Sequence, residues 1–267
     1  MSILYDNSDK PDPSAYDAAA NCAVYRPDSP RAMMLLREAL ADYAASKKKQ
    51  FEIPEEPQQA AEFLLRQLIP GKQQGDYTID DLAALPDGLR FELIDGYLFV
   101  MESPSFRHQT LSMLLASAMS SYILENRSPC SIVPSWDVRP DPGRKTLLEP
   151  DIQIFREASK NTGGYLKGAP DFVIEILSPS TRRKDEKLKL RKYREIGVRE
   201  CWLIDPAAEW IKVYHFHGKA KSSAALYSFR DTIPVGICES GLRIDFSKIL
   251  EQLLYLTSLQ DENSFSN

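Results

Sequence analysis

The stretch PDFVIEILSPSTRRKDEKLKLRKY, residues 170–193, decides the fold of this chain. It opens with the apolar run 172–177, which is typical of a buried strand but has a carboxylate, Glu175, in its middle. A Ser-Pro-Ser break follows, and after it comes a strongly basic segment with helical spacing. A carboxylate in a buried strand is unfavourable unless a cation, a proton or hydrogen-bond donors compensate it. Glu175 therefore predicts a functional site.

The basic segment puts one lysine on the side of the helix that faces the sheet. On a helical wheel Lys189 falls inside the apolar arc. That arc consists of Leu188, Leu190, Tyr193 and Ile196. A lysine in such a position usually has an anionic partner, so we expect Lys189 to point back toward Glu175. The alternative is that the Lys189 side chain runs along the helix and reaches solvent. Gly197 is predicted to cap the carboxyl end of this helix.

Two Pro-Asp pairs offer a second carboxylate, at Asp151 and at Asp171. Asp171 and Glu175 lie on one strand, four residues and therefore roughly 13 Å apart, too far to share a cation. Asp151 belongs to another strand, and on neighbouring strands it could approach Glu175 to within about 5 Å. Two facing carboxylates repel each other and call for a hard divalent cation such as Mg²⁺ or Mn²⁺. We therefore favour Asp151 as the partner of Glu175.

Around this stretch the hydrophobic pattern predicts alternating helices and strands. Helices are expected at 78–85, 105–126 and 246–256, and strands at 90–94, 97–101, 131–138, 147–155, 172–177, 201–204, 210–216, 227–229 and 242–244. The first two strands flank an Asp-Gly pair, which is typical of a hairpin turn. This order predicts an α/β fold with a mixed sheet.

The chain is expected to consist of three parts. Residues 1–75 form an N-terminal extension that is partly helical, with helices at 30–47 and 57–68 and no chemical motif. Residues 76–256 form the main domain, and residues 257–267 form a tail.

Composition limits the classes of protein that fit. The net charge is −5, so any nucleic-acid contact must rest on a local basic patch. The four cysteines lie far apart and indicate reduced thiols in a cytoplasmic protein. No apolar run approaches the length of a membrane span, and the N-terminus has no signal-peptide pattern, so no membrane partner is expected. A homodimer is the default expectation for assembly.

Five motifs give the sequence a more specific resemblance. They are FELIDG at 91–96, SFRHQ at 105–109, EPD at 149–151, VIEILSPSTRR at 173–183 and GVRECWLIDP at 197–206. Together they resemble the Uma2 family (also DUF820-type) of restriction-endonuclease-like proteins, within the PD-(D/E)XK nuclease superfamily. The resemblance covers about residues 76–250. It implies a restriction-endonuclease-like fold with a mixed β-sheet core flanked by helices, to which this chain adds its helical N-terminal extension.

The resemblance also implies catalytic roles. Asp151 and Glu175 would hold Mg²⁺ (or Mn²⁺) with the backbone carbonyl of Ile176, and Glu92 would be an additional acidic residue of the site. The superfamily pattern expects a lysine two residues after the glutamate, where this chain has Leu177. The family pattern instead puts the lysine four residues after an aspartate on the next helix, which corresponds to Lys189.

Further residues are implied as accessories. His108 and Tyr193 match family positions near the site, although a hydrogen-bonded structural role for His108 is the stronger alternative. Arg182, Arg183 and Lys184 would contact the phosphate backbone of DNA without reading its sequence.

The predicted activity is Mg²⁺-dependent hydrolysis of phosphodiester bonds by a DNA endonuclease. Two alternatives stay open: a catalytically idle nucleic-acid-binding or protein-interaction module with the same fold, and hydrolysis of another phosphoester. Four other residues are candidates for a functional or a structural role. His215 and His217 could form a metal pair, Asp137 could add an acidic group or a salt bridge, and Asp205 is most simply a turn residue.

Overall fold

The structure, a computed structural model, describes residues 34, 37, 38, 41, 42, 45, 57–85, 90–101, 103–140, 142–218, 222–237 and 241–264. The described residues divide into two compact units. One unit contains residues from 57–103 and 141–148, and the other contains 104–140 and the residues from 149 onward. Of the helix predicted at 30–47, the six described residues are all helical. Its predicted apolar residues Met33, Leu36, Leu40 and Tyr43 lie outside the described residues.

Residues 57–103 of the smaller unit contain two helices and a hairpin. Helix α1 spans Pro57–Leu68, a 3₁₀ helix spans Ile79–Ala84, and strands β1 (Arg90–Ile94) and β2 (Tyr97–Met101) pair antiparallel. The predicted helix at 57–68 and the predicted hairpin are therefore confirmed. Asp95 and Gly96 both have positive φ angles, of 52° and 83°, as a type I′ hairpin turn requires.

The larger unit is organised by one mixed sheet. Its elements in chain order are α2 (Phe106–Glu125), β3 (Ser131–Pro134), β4 (Val138–Arg139), β5 (Ile152–Phe155), β6 (Leu166–Lys167), β7 (Phe172–Ile176), α3 (Leu190–Ile196), β8 (Glu200–Asp205), β9 (Trp210–Phe216), β10 (Ser222–Ser228), β11 (Thr232–Pro234), β12 (Arg243–Asp245) and α4 (Phe246–Ser264). Six strands form the sheet in the order β10-β9-β8-β7-β5-β3. Only the β7–β8 pair within this sheet is parallel. The predicted mixed α/β fold is confirmed.

The basic segment makes the crossover between the two parallel strands. It forms a π-helical stretch, Lys184–Lys189, that continues directly into α3. Gly197 ends α3 in the left-handed conformation, with a φ of 99°, because only glycine adopts this conformation without steric strain. The predicted cap is confirmed.

The hydrophobic core lies on one face of the sheet. Phe172, Ile174 and Ile176 of β7 belong to a cluster that also contains Trp202 of β8 and Leu115 of α2. Because successive side chains of a strand point to opposite faces, Glu175 is on the other face. That is the face toward which the basic crossover brings its side chains.

Several element boundaries differ from those predicted. The strand expected at 131–138 is interrupted after Pro134, because Ser135 takes a positive φ of 43° and Val138 pairs with β6 instead. The strand expected at 147–155 begins only at Ile152. Helix α4 continues to Ser264, past the predicted start of the tail at residue 257. No helix among the described residues is both long and apolar enough to span a membrane.

One buried carboxylate lies at the start of β8, away from the carboxyl end of that strand. Glu200 is fully buried and accepts a 2.7 Å hydrogen bond from Trp202 Nε1. Burial raises the pKa of Glu200 to about 7, against the lowering effect of hydrogen bonds from Trp202 and the Gly236 backbone. A Cβ atom at Gly236 would come within 2.7 Å of Glu200 Oε2, so a larger residue there would require the carboxylate to shift. This carboxylate makes the stability of the fold dependent on pH.

Candidate active site

Glu175 and Lys189 form a buried ion pair on the face of the sheet opposite the core. The distance between Lys189 Nζ and Glu175 Oε1 is 2.7 Å, and the two side chains are 2% and 3% exposed. Tyr193, one helical turn beyond Lys189, donates a short hydrogen bond from its hydroxyl to the same Oε1 atom. The prediction that Lys189 points back toward Glu175 is confirmed, and the alternative of a solvent-reaching Lys189 is wrong.

A tight turn after β7 brings the lysine to this position. Ser178 accepts hydrogen bonds from the backbone N–H of Thr181 at its hydroxyl and from that of Arg182 at its carbonyl. The chain then enters the π-helical stretch, a rare conformation that is frequent at functional sites. The turn and the helix together fold the segment back over β7, so that Lys189 lies above Glu175.

Asp185 is a second buried carboxylate beside Lys189, and the sequence analysis missed it as a site residue. Its Oδ1 atom lies 3.9 Å from Lys189 Nζ, and its side chain is almost fully buried. The sequence contains a signal for Asp185, because residues four apart on a helix share a face and Lys189 falls on the buried face.

Asp151 lies opposite Glu175 at the end of the pairing between β5 and β7. Ile152 pairs with Ile174 in this antiparallel ladder, and continuing the register by one residue brings Asp151 opposite Glu175. Asp151 Oδ2 accepts a 2.7 Å hydrogen bond from the backbone N–H of Ile176. Directly opposed residues have Cβ atoms about 4.5–5.5 Å apart, as the sequence analysis expected for this pair.

The other Pro-Asp pair lies at the opposite end of β7. Asp171 precedes the first residue of the strand, accepts a 3.0 Å hydrogen bond from the backbone N–H of Arg156 and pairs with Arg199 at 3.5 Å. Its contacts therefore hold the neighbouring chain segments at the start of β7. This arrangement favours Asp151 over Asp171 as the partner of Glu175.

His108 reaches the same end of the sheet from the first turn of α2. Ser105 caps this helix by accepting a hydrogen bond from the backbone N–H of His108. His108 Nε2 lies 3.0 Å from the carbonyl oxygen of Ile176 and 3.3 Å from Asp151 Oδ2. Burial by itself lowers the pKa of His108, but the hydrogen bond and charge of Asp151 outweigh burial and raise the pKa above its ordinary value.

The three basic residues predicted to contact DNA have different environments. Arg183 is exposed, as a phosphate contact requires. Arg182 forms a short ion pair with the buried Asp205 and lies over the Trp210 ring. Lys184 is only 9% exposed, so its predicted phosphate contact conflicts with its burial. The physical reason is that the π-helical turn directs Lys184 toward the protein interior.

Glu92 lies in the hairpin of the other unit. It is fully buried on β1 and faces Phe99 across the hairpin. Its role as an additional acidic residue of the site stays a prediction.

The remaining candidates each have a local structural partner. Asp205 hydrogen-bonds the backbone N–H groups of Ala207 and Ala208, as the predicted turn residue would. Asp137 pairs with Arg139 at 3.3 Å, which is the salt-bridge alternative. His215 Nδ1, on β9, lies 3.7 Å from Oε2 of the buried Glu200, the first residue of β8. Within the ranges that the structure describes, no group of three or more His, Cys, Asp or Glu side chains is arranged to hold a metal ion.

The oxygen atoms at the end of β7 nevertheless suit a hard divalent cation. Asp151 Oδ2 and the carbonyl oxygen of Ile176 both lie within 3.3 Å of one atom, His108 Nε2, so they converge on a common point. Glu175 lies opposite Asp151 in the register. Mg²⁺ is usually held by one or two carboxylates together with water and substrate phosphate oxygens, so a cluster of three acidic side chains is not required.

The larger unit is an α/β protein with a mixed sheet flanked by helices, and acidic residues and a buried lysine lie at the end of its central strand β7. The model of the Uma2 family, described as "Putative restriction endonuclease", matches residues 79–246. The chain therefore belongs to the Uma2 family. Its fold is similar to the crystal structure of a "putative nuclease belonging to DUF820" from Anabaena variabilis, with a TM-score of 0.55 and 20% sequence identity. The similarity covers 66% of this chain and 99% of that chain. A comparison with curated proteins finds no match.

Proposed function

We propose that this protein is a DNA endonuclease that depends on Mg²⁺ or Mn²⁺ and hydrolyses phosphodiester bonds. The observation that carries the proposal is the buried contact between Lys189 Nζ and Glu175 Oε1, at 2.7 Å. The strict superfamily position for the lysine is occupied by Leu177, yet a lysine from the next helix supplies the ammonium group beside the strand glutamate. The Uma2 family match supports nuclease chemistry in general.

In this reaction the acidic residues would bind the cation, and Lys189 would act on the phosphate or the water. Asp151, Glu175 and the carbonyl oxygen of Ile176 would hold the cation, which polarises the scissile phosphate and lowers the pKa of a bound water. Lys189 would stabilise the negative charge that develops on the phosphate, or orient the attacking water. Because the Lys189 ammonium group is held in a fixed position and is buried, it would stabilise this charge far more than an ammonium group in water.

Tyr193 and Asp185 would act on this lysine and glutamate. The Tyr193 hydroxyl donates to Glu175 Oε1, so it limits the rotation of the carboxylate. Asp185 lies 3.9 Å from Lys189 Nζ and would help to balance the charge of the ammonium group. Arg183 is exposed and carries the phosphate contact that we propose for DNA binding.

A cleavage assay tests the proposal. Purified protein is incubated with supercoiled plasmid and with single-stranded DNA, with Mg²⁺, with Mn²⁺ and with a chelator. We expect nicking or linearisation by the wild type only when a divalent cation is present. Glu175→Ala and the folded double variant Glu175→Gln/Lys189→Met should cut at least about a hundredfold more slowly, the scale of loss for one electrostatic group of an active site.

Two matched controls separate a catalytic loss from a general one. Asp171→Asn changes a carboxylate at the other end of the same strand, and Lys187→Ala removes an exposed lysine two residues from Lys189. Both should cut at nearly the wild-type rate. If the wild type cuts no DNA with either cation, or if the Glu175 variants cut as fast as the controls, the proposal is wrong. DNA binding without cleavage would instead support the idle nucleic-acid-binding module.

A further inference from the structure

The contacts of His108 concern the same position at the end of β7 where the divalent cation would bind. We propose that in the cation-free protein His108 occupies the place where a divalent cation binds, and that its ring must turn away before the cation can enter. This inference rests on the proposed function, because it takes Asp151 and the carbonyl oxygen of Ile176 as the cation-binding oxygens.

The contacts of His108 Nε2 carry the inference. This nitrogen lies 3.0 Å from the Ile176 carbonyl oxygen and 3.3 Å from Asp151 Oδ2. Both oxygens accept hydrogen bonds and neither donates, so Nε2 carries the proton that they share. A single N–H group thus bridges the two oxygens, in the way that a cation bound by both would. The ring nitrogen and the cation compete for the same lone pairs.

The other ring nitrogen of His108, Nδ1, does not anchor the ring by a hydrogen bond. His108 Nδ1 is buried and has no hydrogen-bond partner among the residues that the structure describes. Rotation of the ring therefore breaks the contacts of Nε2 without breaking a second polar contact at Nδ1. The backbone of His108 is fixed separately by the Ser105 cap, so the side chain can move while the first turn of α2 stays in place.

A histidine could also be a cation ligand or a purely structural donor, and these roles predict different effects of substitution. A ligand predicts weaker cation binding when the ring is removed, and a structural donor predicts weaker or unchanged binding. An occupant that competes with the cation predicts tighter binding. Tighter cation binding after removal of the ring therefore separates a competing occupant from the other two roles.

The experiment measures Mn²⁺ binding by the full-length protein at fixed pH, with the electron paramagnetic resonance signal of free Mn²⁺ and with calorimetry for Mg²⁺. The variants are His108→Ala, which removes the competing donor, and His108→Gln, whose amide keeps an N–H donor. We expect a dissociation constant about tenfold lower for His108→Ala, since one hydrogen bond to a carboxylate is released beforehand. His108→Gln should stay near the wild-type value.

A second readout uses the ring itself and needs no activity. The chain has three histidines, so the ¹⁵N signals of their rings can be assigned by substitution. Addition of Mg²⁺ should shift the Nε2 signal of His108 and leave those of His215 and His217 unchanged. Unfolding of the His108→Ala variant without cation is followed in parallel, to ensure that binding is compared between folded proteins.

The outcomes separate this inference from the proposed function. Equal or weaker binding by His108→Ala, with binding by the wild type intact, overturns the role of His108 and leaves the nuclease proposal standing. Absence of Mn²⁺ and Mg²⁺ binding by the wild type and both variants overturns the cation site, and this inference with it. Tighter binding by His108→Ala together with the shift of the His108 signal supports the inference.

Discussion

Replacing Lys189 with methionine removes the ammonium group from the buried ion pair while keeping a side chain of similar length. Glu175 would then lie in a position that is 3% exposed, without the ammonium group 2.7 Å from its Oε1 atom. The hydroxyl of Tyr193 still donates to that oxygen, but a hydroxyl does not balance a full charge. We expect Lys189→Met to destabilise the folded protein strongly.

The magnitude follows from the burial of both partners. Removing one partner of a buried ion pair typically lowers the free energy of unfolding by about 3–5 kcal/mol. For a unit of this size, 1 kcal/mol corresponds to roughly 2–4 °C in the melting temperature. The variant should therefore melt roughly 6–20 °C below the wild type.

The assay is a double-mutant cycle of urea unfolding with wild type, Lys189→Met, Glu175→Gln and the double variant. The double variant removes both charges and leaves a neutral amide beside Tyr193, so it should recover most of the lost stability. Lys187→Met is the matched control, because Lys187 is exposed on the same helix and should change stability by less than about 0.5 kcal/mol.

Two results would refute the reasoning. One is a Lys189→Met variant as stable as the Lys187→Met control. The other is a double variant whose loss equals the sum of the two single losses, since that would mean that Lys189 and Glu175 do not interact. Recovery of stability without recovery of DNA cleavage would separate the structural effect of the pair from its proposed catalytic one.

Two further predictions concern the other buried carboxylates. The pKa of Glu200, raised by burial to about 7 from an ordinary 4.5, means that the folded state holds this proton more tightly than the unfolded state. The associated stability is present below about pH 4.5 and is lost as the pH rises through 7. At pH 8 the free energy of unfolding of Glu200→Gln should therefore exceed that of the wild type, by at most about 3 kcal/mol, and its melting temperature should be higher. At pH 4.5 the two proteins should melt at similar temperatures. An equal difference between the two proteins at both pH values would contradict this. Asp185→Asn keeps the shape of the side chain that lies 3.9 Å from Lys189 Nζ but removes its charge. Urea unfolding should show that the free energy of unfolding falls by about 1–2 kcal/mol, less than for Lys189→Met. A larger fall than for Lys189→Met would mean that Asp185, and not Glu175, is the main partner of Lys189.

Local sequence patterns were sufficient for the elements that carry the site. The apolar run around Glu175 and the helical spacing of Lys189 and Tyr193 depend on residues less than 20 positions apart. Their geometry is set by the fixed periods of strand and helix, so the contact between Lys189 and Glu175 could be predicted. The Asp95-Gly96 turn was predictable for the same reason, because its positive φ angles are a local property of the two residues.

Contacts between distant segments were harder to predict. The sequence allowed both Asp151 and Asp171 as acidic partners, and the distance along a strand argued only against Asp171. The register between β5 and β7 brings Asp151 opposite Glu175, and register depends on which strands pair. The environments of Arg182 and Lys184 were not visible in the sequence at all, because they depend on Asp205 and on the π-helical turn.

The sequence by itself determined that a buried glutamate and an inward-facing lysine lie on consecutive elements of an α/β fold. It did so because side-chain direction follows from the period of each element. Only the tertiary structure decided which oxygens meet at the end of β7, where Asp151, the Ile176 carbonyl and His108 come together from separate parts of the chain. The physical reason is that such contacts are fixed by strand register and helix packing, which no local pattern encodes.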